Sequence, residues 1–330
     1  MPSSKPQNRK YNIPLFIPHE GCGHDCVFCN QRKITGHQTP VTPEQARDEI
    51  IKYLSTITNP DGEIEIAFFG GSFTGLDIDL QRRFFEVAAS FKDERIRGIR
   101  LSTRPDYINK RVLDQCVEFG VRTIELGVQS ASDKVLEMNR RGHTFAQVEK
   151  AAGMIKDAGI DLGLQMMVGM YGSDKYTDIQ TCEKIIALKP VCTRIYPTLV
   201  LKNTYLEELY MAGEYRPYDF EQAIDVSAAC LKRFRENGIK VIRIGLHAGE
   251  DLRSDGNVVA GAFHVALGEM VENRIYRDKI EAEILKQGLR DCDYVIEAAH
   301  RDASKIIGHK SCNRNYFNEK YGVRLCLKKI

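Results

Sequence analysis

Short apolar runs alternate with amphipathic stretches along most of the chain. The runs cover Asn12 to Pro18, Glu63 to Gly70, Gly98 to Pro105, Thr123 to Ser130, Asp161 to Gly169, Val191 to Val200 and Lys240 to Leu246. Between them, helical patterns run over Pro43 to Ile57, Asp79 to Phe91, Asn109 to Phe119, Phe145 to Ala158, Tyr176 to Leu188 and Tyr218 to Asn237. A strand–helix unit roughly every 30 residues predicts an α/β fold with a parallel sheet and crossover helices. Six or seven such units fit a partial (β/α)6 or a near-complete parallel barrel. Gly120, Gly159 and Gly238 each stand between a helix and the next strand, where a left-handed C-cap is needed.

In such barrels the reactive groups gather at the C-terminal ends of the strands. Those ends here read Gly70-Gly71-Ser72-Phe73, Ser102-Thr103-Arg104-Pro105, Gln129-Ser130, Gln165 with Gly169 to Gly172, and Tyr196-Pro197-Thr198. The first strand runs directly into G-C-G-H-D-C-V-F-C-N, with Cys22, Cys26 and Cys29 in one loop. Three thiolates at this spacing wrap one corner of an iron–sulfur cluster. On a four-iron cubane they leave one iron open to a substrate or cofactor. A structural zinc site is the alternative, with His24 as a fourth ligand. Closed zinc sites usually come as paired two-thiolate arms, and no second pair follows nearby. The other seven of the ten cysteines are scattered singly, which argues against a disulfide framework.

The 330 residues carry a net charge of +2, so no strong bias toward polyanions is built in. No stretch of apolar residues is long enough to span a membrane. Met1 to Lys10 is short and polar and reads as a disordered tail rather than a secretion signal. Oxygen-sensitive thiols then place the chain in a reducing cytoplasm. Length and pattern divide it into a tail (1–10), a barrel (11–250), a closing helical region (251–290) and a small C-terminal piece (291–330).

The C-x3-C-x2-C spacing, with Phe28 before the last cysteine, resembles the signature of the radical S-adenosylmethionine (SAM) superfamily. Phe69-Gly70-Gly71-Ser72-Phe73, Ser102-Thr103-Arg104-Pro105-Asp106, Glu125-Leu126-Gly127-Val128-Gln129-Ser130, Arg141-Gly142-His143 and Ile195-Tyr196-Pro197-Thr198-Leu199-Val200 extend the likeness. They are most similar to the radical domain of the Elongator catalytic subunit and its bacterial relatives, over roughly residues 10 to 250. The Gly-Val-Gln-Ser turn also resembles oxygen-independent coproporphyrinogen oxidase. The resemblance implies a barrel of radical SAM type, a [4Fe–4S] cluster on Cys22, Cys26 and Cys29, and SAM on the open iron. It implies that Phe28, Gly70, Gly71, Ser72, Ser102, Gln129, Arg141 and Gln165 line the SAM site. Arg141 suits a carboxylate, which guanidinium grips bidentately. An electron donor such as flavodoxin or ferredoxin is implied as a partner. The Elongator subunit has a longer first cysteine gap, and its acetyltransferase domain has no room in this chain.

Beyond the barrel, Phe263 to Gln287 reads as one long helix. A strand from Tyr294, helices over Asp302 to Ile307 and Asn313 to Tyr321, and a strand over Val323 to Lys328 follow. This βααβ order resembles the minimal KH fold, whose G-x-x-G loop clamps a single-stranded nucleic-acid backbone. The corresponding loop is Gly308-His309-Lys310-Ser311, with Ser in place of the second Gly. Arg301, Lys305, His309, Lys310 and Arg314 add positive charge. A structural cap is the alternative. His143 faces substrate or caps its helix, Tyr196 faces substrate or packs on the barrel wall, and Met166, Met167 and Met170 belong to the core.

Three functions follow from these residues. The first is a radical enzyme acting on an RNA base, with tRNA as the partner. The second is a radical enzyme for a small metabolite, tetrapyrrole or peptide. The third is an iron–sulfur sensor with an RNA-binding tail.

Overall fold

The computed structural model describes residues 9–17, 22–23, 25–30, 41–246 and 257–330. Seven strands form one sheet: β1 (Lys10–Ile17), β2 (Glu63–Gly70), β3 (Ile96–Thr103), β4 (Val121–Gln129), β5 (Asp161–Val168), β6 (Cys192–Pro197) and β8 (Lys240–Ile244). Their spatial order follows the chain order, and every neighbouring pair is parallel. The sheet curls into a half-barrel. The seven apolar runs are these seven strands. Residues 1–8 of the expected tail lie outside the described residues, and Lys10 opens β1.

The crossovers are α1 (Pro43–Thr56), α2 (Ile78–Ala89), α3 (Lys110–Glu118), α5 (Phe145–Asp157), α6 (Lys175–Ala187) and α8 (Phe220–Glu236). They cover the convex face, where Ile13, Leu15, Ile66, Phe68, Leu101, Ile124, Leu126 and Leu164 are buried. Phe68 stacks on Phe73 at 4.6 Å and meets Phe84 edge-on at 5.9 Å, which fills the space under α2. Strand alternation sends the intervening residues to the concave face. There Glu65, Arg100, Ser102, Glu125, Gln165, Arg194 and Tyr196 stand in place of an apolar core.

Two short helices lack a sequence signature, α4 (Asp133–Met138) and α7 (Tyr205–Met211). Six or seven residues make too few turns to show a period. So does the small ladder that joins β7 (Val200–Leu201) to β9 (Val258–Ala260). The closing helix, α9 (Leu267–Gln287), begins four residues later than the pattern suggests. His264 explains the delay: its ring Nδ1 accepts the Ala266 N–H at 3.0 Å.

The last segment contains β10 (Asp293–Ala298), α10 (Ala303–Ile307), α11 (Cys312–Tyr321) and β11 (Arg324–Lys329). Its two strands pair in parallel. Ile306, Phe317, Tyr321, Val323 and Leu325 pack on Ile280 and Ile284 of α9, so the piece shares its core with the closing helix. Asn313 fastens the two: its Nδ2 donates to the carbonyls of Asn273 (2.9 Å), Lys305 and Ile306 (both 3.2 Å).

Candidate active site

The cysteine loop follows β1 at the C-terminal end of the sheet. Its backbone is held from three sides. The Gly23 N–H donates to the Tyr107 hydroxyl at 3.0 Å. The Val27 N–H donates to the Asn139 carbonyl at 3.3 Å, and the Leu206 N–H at the start of α7 donates to the Val27 carbonyl at 2.8 Å. Phe28 is half-buried between two apolar groups, one with Val200, Leu206 and Tyr215, the other with Val135, Met167 and Met170. Met166, Met167 and Met170 are all core residues. Asn139 is itself buried and donates to the Val135 and Tyr171 carbonyls at 2.7 and 2.8 Å, which fixes the anchor.

Cys26 is buried, and two guanidinium groups reach it. Arg141 Nη1 donates to its Sγ at 3.2 Å while Nη2 donates to the Gly127 carbonyl at 2.8 Å. Arg104 Nη1 lies 3.9 Å from the same sulfur. Arg104 is 3 % exposed; its Nε and Nη2 donate to Asp106, and Nη2 also donates to the Arg141 carbonyl. Arg141 is itself buried, so its charge is held inside the protein rather than in solvent. Arg104 received no role from sequence; the signal was the Arg-x-Asp spacing, which sets a two-residue ion pair beside the cysteine loop.

Gln129 ends β4 with a left-handed φ of 66°, and its buried Oε1 has no partner. The nearby Arg141 Nε is also without one. A Cβ on Gly127 would stand 3.0 Å from Gln129 Nε2 and 3.3 Å from Arg141 Nη2, so Gly127 forms a cradle that a larger residue would fill only by pushing these side-chain ends back. Gly70 closes β2 with φ 102°, and the Gly71 N–H donates to the Ile17 carbonyl at 2.9 Å, which ties the Gly-Gly-Ser turn to the end of β1. Ser72 is buried, and Ser102 is half-buried on the concave face. Gln165 sits a layer deeper, its Nε2 donating to Glu125 Oε2 at 3.2 Å. His143 is buried, and burial followed by Arg141 and Arg104 lowers its pKa to about 4. The helix cap beside it is Thr144.

Among the described residues, no three His, Cys, Asp or Glu side chains converge as ligands of a single ion do. Cys22, Cys26 and Cys29 are among the residues that do not come together in this way. His24 lies outside the described residues. The orphaned buried oxygen of Gln129, the glycine cradle and the cationic donors on Cys26 fit a cluster with an amino-acid-bearing cofactor beside it.

Residues 16–183 match the Radical SAM superfamily, and residues 190–277 match the Radical SAM C-terminal domain. The chain belongs to the radical SAM superfamily. Members of this superfamily use a [4Fe–4S] cluster and SAM, and the chain is a radical SAM enzyme. It is 34% identical over 255 residues to the tRNA uridine(34) acetyltransferase of Methanocaldococcus jannaschii, covering 65% of this chain and 47% of that protein. It is 26% identical over 261 residues to human Elongator complex protein 3, covering 66% and 47%. The chain thus spans about half the length of these relatives, the part that holds their radical domain. Among solved structures, an N-terminally truncated Elp3 from Methanocaldococcus infernus superposes with a TM-score of 0.63 at 24% identity, over 86% of this chain and 64% of that one. Coproporphyrinogen III oxidase of Escherichia coli, a radical SAM enzyme, gives 0.50 at 14% identity over 72% and 54%. Both likenesses concern the fold. No helix among the described residues is long and apolar enough to cross a membrane.

Proposed function

We propose that this radical SAM enzyme acts on a base in RNA, with tRNA as the substrate class, and that Cys22, Cys26 and Cys29 hold its cluster. When bound, the cluster and SAM supply an electron and a 5′-deoxyadenosyl radical, chemistry that belongs to the cofactors rather than the protein. The protein's own groups bind and orient. Arg141 and Arg104 reach the Cys26 sulfur, Gln129 offers an unpaired amide oxygen, and Gly70 and Gly71 let the backbone approach a ligand closely. Phe28 and the apolar groups around it exclude water from one wall. An external one-electron donor such as flavodoxin or ferredoxin completes the system.

The observation that carries the RNA reading is the position of the Gly308–Ser311 loop. Leu267, the first residue of α9, packs against Gly245 at the mouth end of β8. Just before it, the His264 ring meets the His309 ring at 5.4 Å. With the Asn273 amide turned to satisfy both neighbours, its oxygen accepts the His309 N–H at 2.7 Å. The loop is thereby held beside the rim, with Lys310 exposed at its tip. The tRNA relatives support the same substrate class. A structural-cap reading has one observation in its favour, the core shared between the tail and α9.

Lys310→Asp separates the two. RNA binding by the cluster-loaded chain is expected to fall steeply with salt and to drop about tenfold or more in the variant, across sequences alike. Iron content and 5′-deoxyadenosine formation without substrate stay unchanged. Equal RNA binding by the variant, or none by the parent at low salt, would leave the tail a cap.

A further inference from the structure

A belt of charge crosses the concave face below the cysteine loop. Arg100 on β3 donates to Glu65 on β2 and, through Nη1, to Glu125 on β4 at 2.9 Å. Arg194 on β6 donates to the same Glu125 through Nε at 2.5 Å and Nη2 at 2.9 Å. With the Gln165 amide, Glu125 is saturated at 1 % exposure. Burial alone would raise its pKa; Arg194 and Arg100 outweigh burial and hold it below the usual carboxylate value. Room for it comes from β5, where a Cβ on Gly163 would stand 2.8 Å from Glu125 Cγ. Ordinary α/β barrels fill this space with branched apolar side chains. Burying ions here carries a desolvation cost that well-packed apolar residues would avoid.

Among the described residues of the belt, Glu65 and Glu125 pair with Arg100 and Arg194, and Arg243 adds a further positive charge. Arg243 on β8 pairs in register with Arg194, and paired positions of a parallel ladder share a face. It is half-buried, and no ion pair holds it among the described residues. Its charge acts on the Tyr196 phenol, whose oxygen lies 3.5 Å from Arg194 Nη1. Tyr196 is next to the last residue of β6 and Arg243 next to the last of β8, so these donors stand at the mouth end. The face of Arg194 lies over the Phe69 ring at 5.1 Å, which keeps its guanidinium plane fixed.

We propose that Arg194, Tyr196 and Arg243 form a binding site for an oxyanion, a carboxylate or phosphate, carried by the molecule on which the barrel acts. The site rests on the reading of this mouth as the place of reaction. Two guanidinium groups and a hydroxyl on neighbouring strands of one face match two or three oxygens of one anion. Arg100 and Glu125 act as positioning residues, holding Arg194 in plane.

The test uses the full chain with its cluster, titrated with inorganic phosphate and separately with acetate at constant ionic strength, read as a shift in melting temperature. A saturable rise with one anion is expected, phosphate pointing to a phosphoryl group and acetate to a carboxylate. Arg243→Gln should weaken the apparent affinity about tenfold or more, Arg243→Lys less. SAM affinity, measured by equilibrium dialysis, should be the same in all three proteins. No saturable response to either anion, or an equal response in Arg243→Gln, overturns the site. A matching loss of SAM affinity would assign the anion to the cofactor and also overturn it. Failure of the parent to bind SAM at all would count against the radical reading without altering the anion titration.

Discussion

Asp178 is 2 % exposed, and accepts the Gly169 N–H and the Tyr218 hydroxyl, both at 2.9 Å. It thereby holds the loop after β5 at the barrel mouth. Burial is the largest influence on it and pushes its pKa from 3.8 up to about 6, against those two hydrogen bonds. The folded state therefore favours the protonated acid. Stability from this group is fully present below about pH 4 and is lost as pH rises through 6, costing about 3 kcal/mol by pH 8. Asp178→Asn keeps an acceptor and cannot ionise. Urea midpoints are expected to fall between pH 5 and pH 8 in the parent, with a flatter profile in the variant; parallel profiles would refute the assignment. At this scale the cysteines and the glycine turns were legible because spacing alone encodes them. Asp178 and Arg104 were not, since their meaning comes from burial and from partners such as Tyr218, 40 residues away.

Gly159 and Gly163 separate two reasons for glycine at the edge of a single strand. Gly159 caps α5 with φ 73°, and nothing lies within 4 Å of where its Cβ would be. Gly159→Ala should cost about 1 kcal/mol, from backbone strain alone. Gly163 leaves room for Glu125 and lies 3.2 Å from Cys192 Sγ at its Cβ position. Gly163→Val should cost about 1–3 kcal/mol from overpacking, and should also displace the carboxylate that holds Arg194. Denaturation midpoints compare the two. A Gly163→Val protein as stable as the parent would mean that the belt has slack. The helix-capping role of Gly120, Gly159 and Gly238 was readable in sequence, because a left-handed residue between helix and strand has few alternatives. The belt was not: it joins strands across up to 92 residues of sequence, as between Arg100 and Cys192, and depends on inter-strand register. The short helices α4 and α7 escaped for a different reason, being too brief for periodicity to emerge, although Ser132 and Thr204 cap them.

For the whole molecule, seven parallel strands, their crossovers and the βααβ tail all follow the order of the apolar pattern. What pattern could not convey is how the tail is seated, because the Asn313 contacts and the His264–His309 pair join segments through tertiary packing. The sheet brings the cysteine loop, the Arg104–Arg141 pair and the glycine turns to one end, and this arrangement is the basis of the proposed cluster site. Gly71→Val should weaken SAM binding with iron retained, and Arg141→Ala should weaken it per bound cluster, the iron being measured separately because Arg141 also donates to Cys26; normal SAM binding by both would displace the proposed SAM site. The central claim is that Cys22, Cys26 and Cys29 bind a redox-active cluster. Its most direct test is iron content and 5′-deoxyadenosine formation after anaerobic reconstitution and reduction. The parent should hold about four irons per chain and form 5′-deoxyadenosine from SAM. Alanine at any of the three positions should abolish both. Cys116→Ala should change neither, because that thiol is fully buried in α3 and burial pushes its pKa up to about 12. A stable zinc-loaded chain with no capacity for iron, or a cluster that survives Cys26→Ala, would contradict the account.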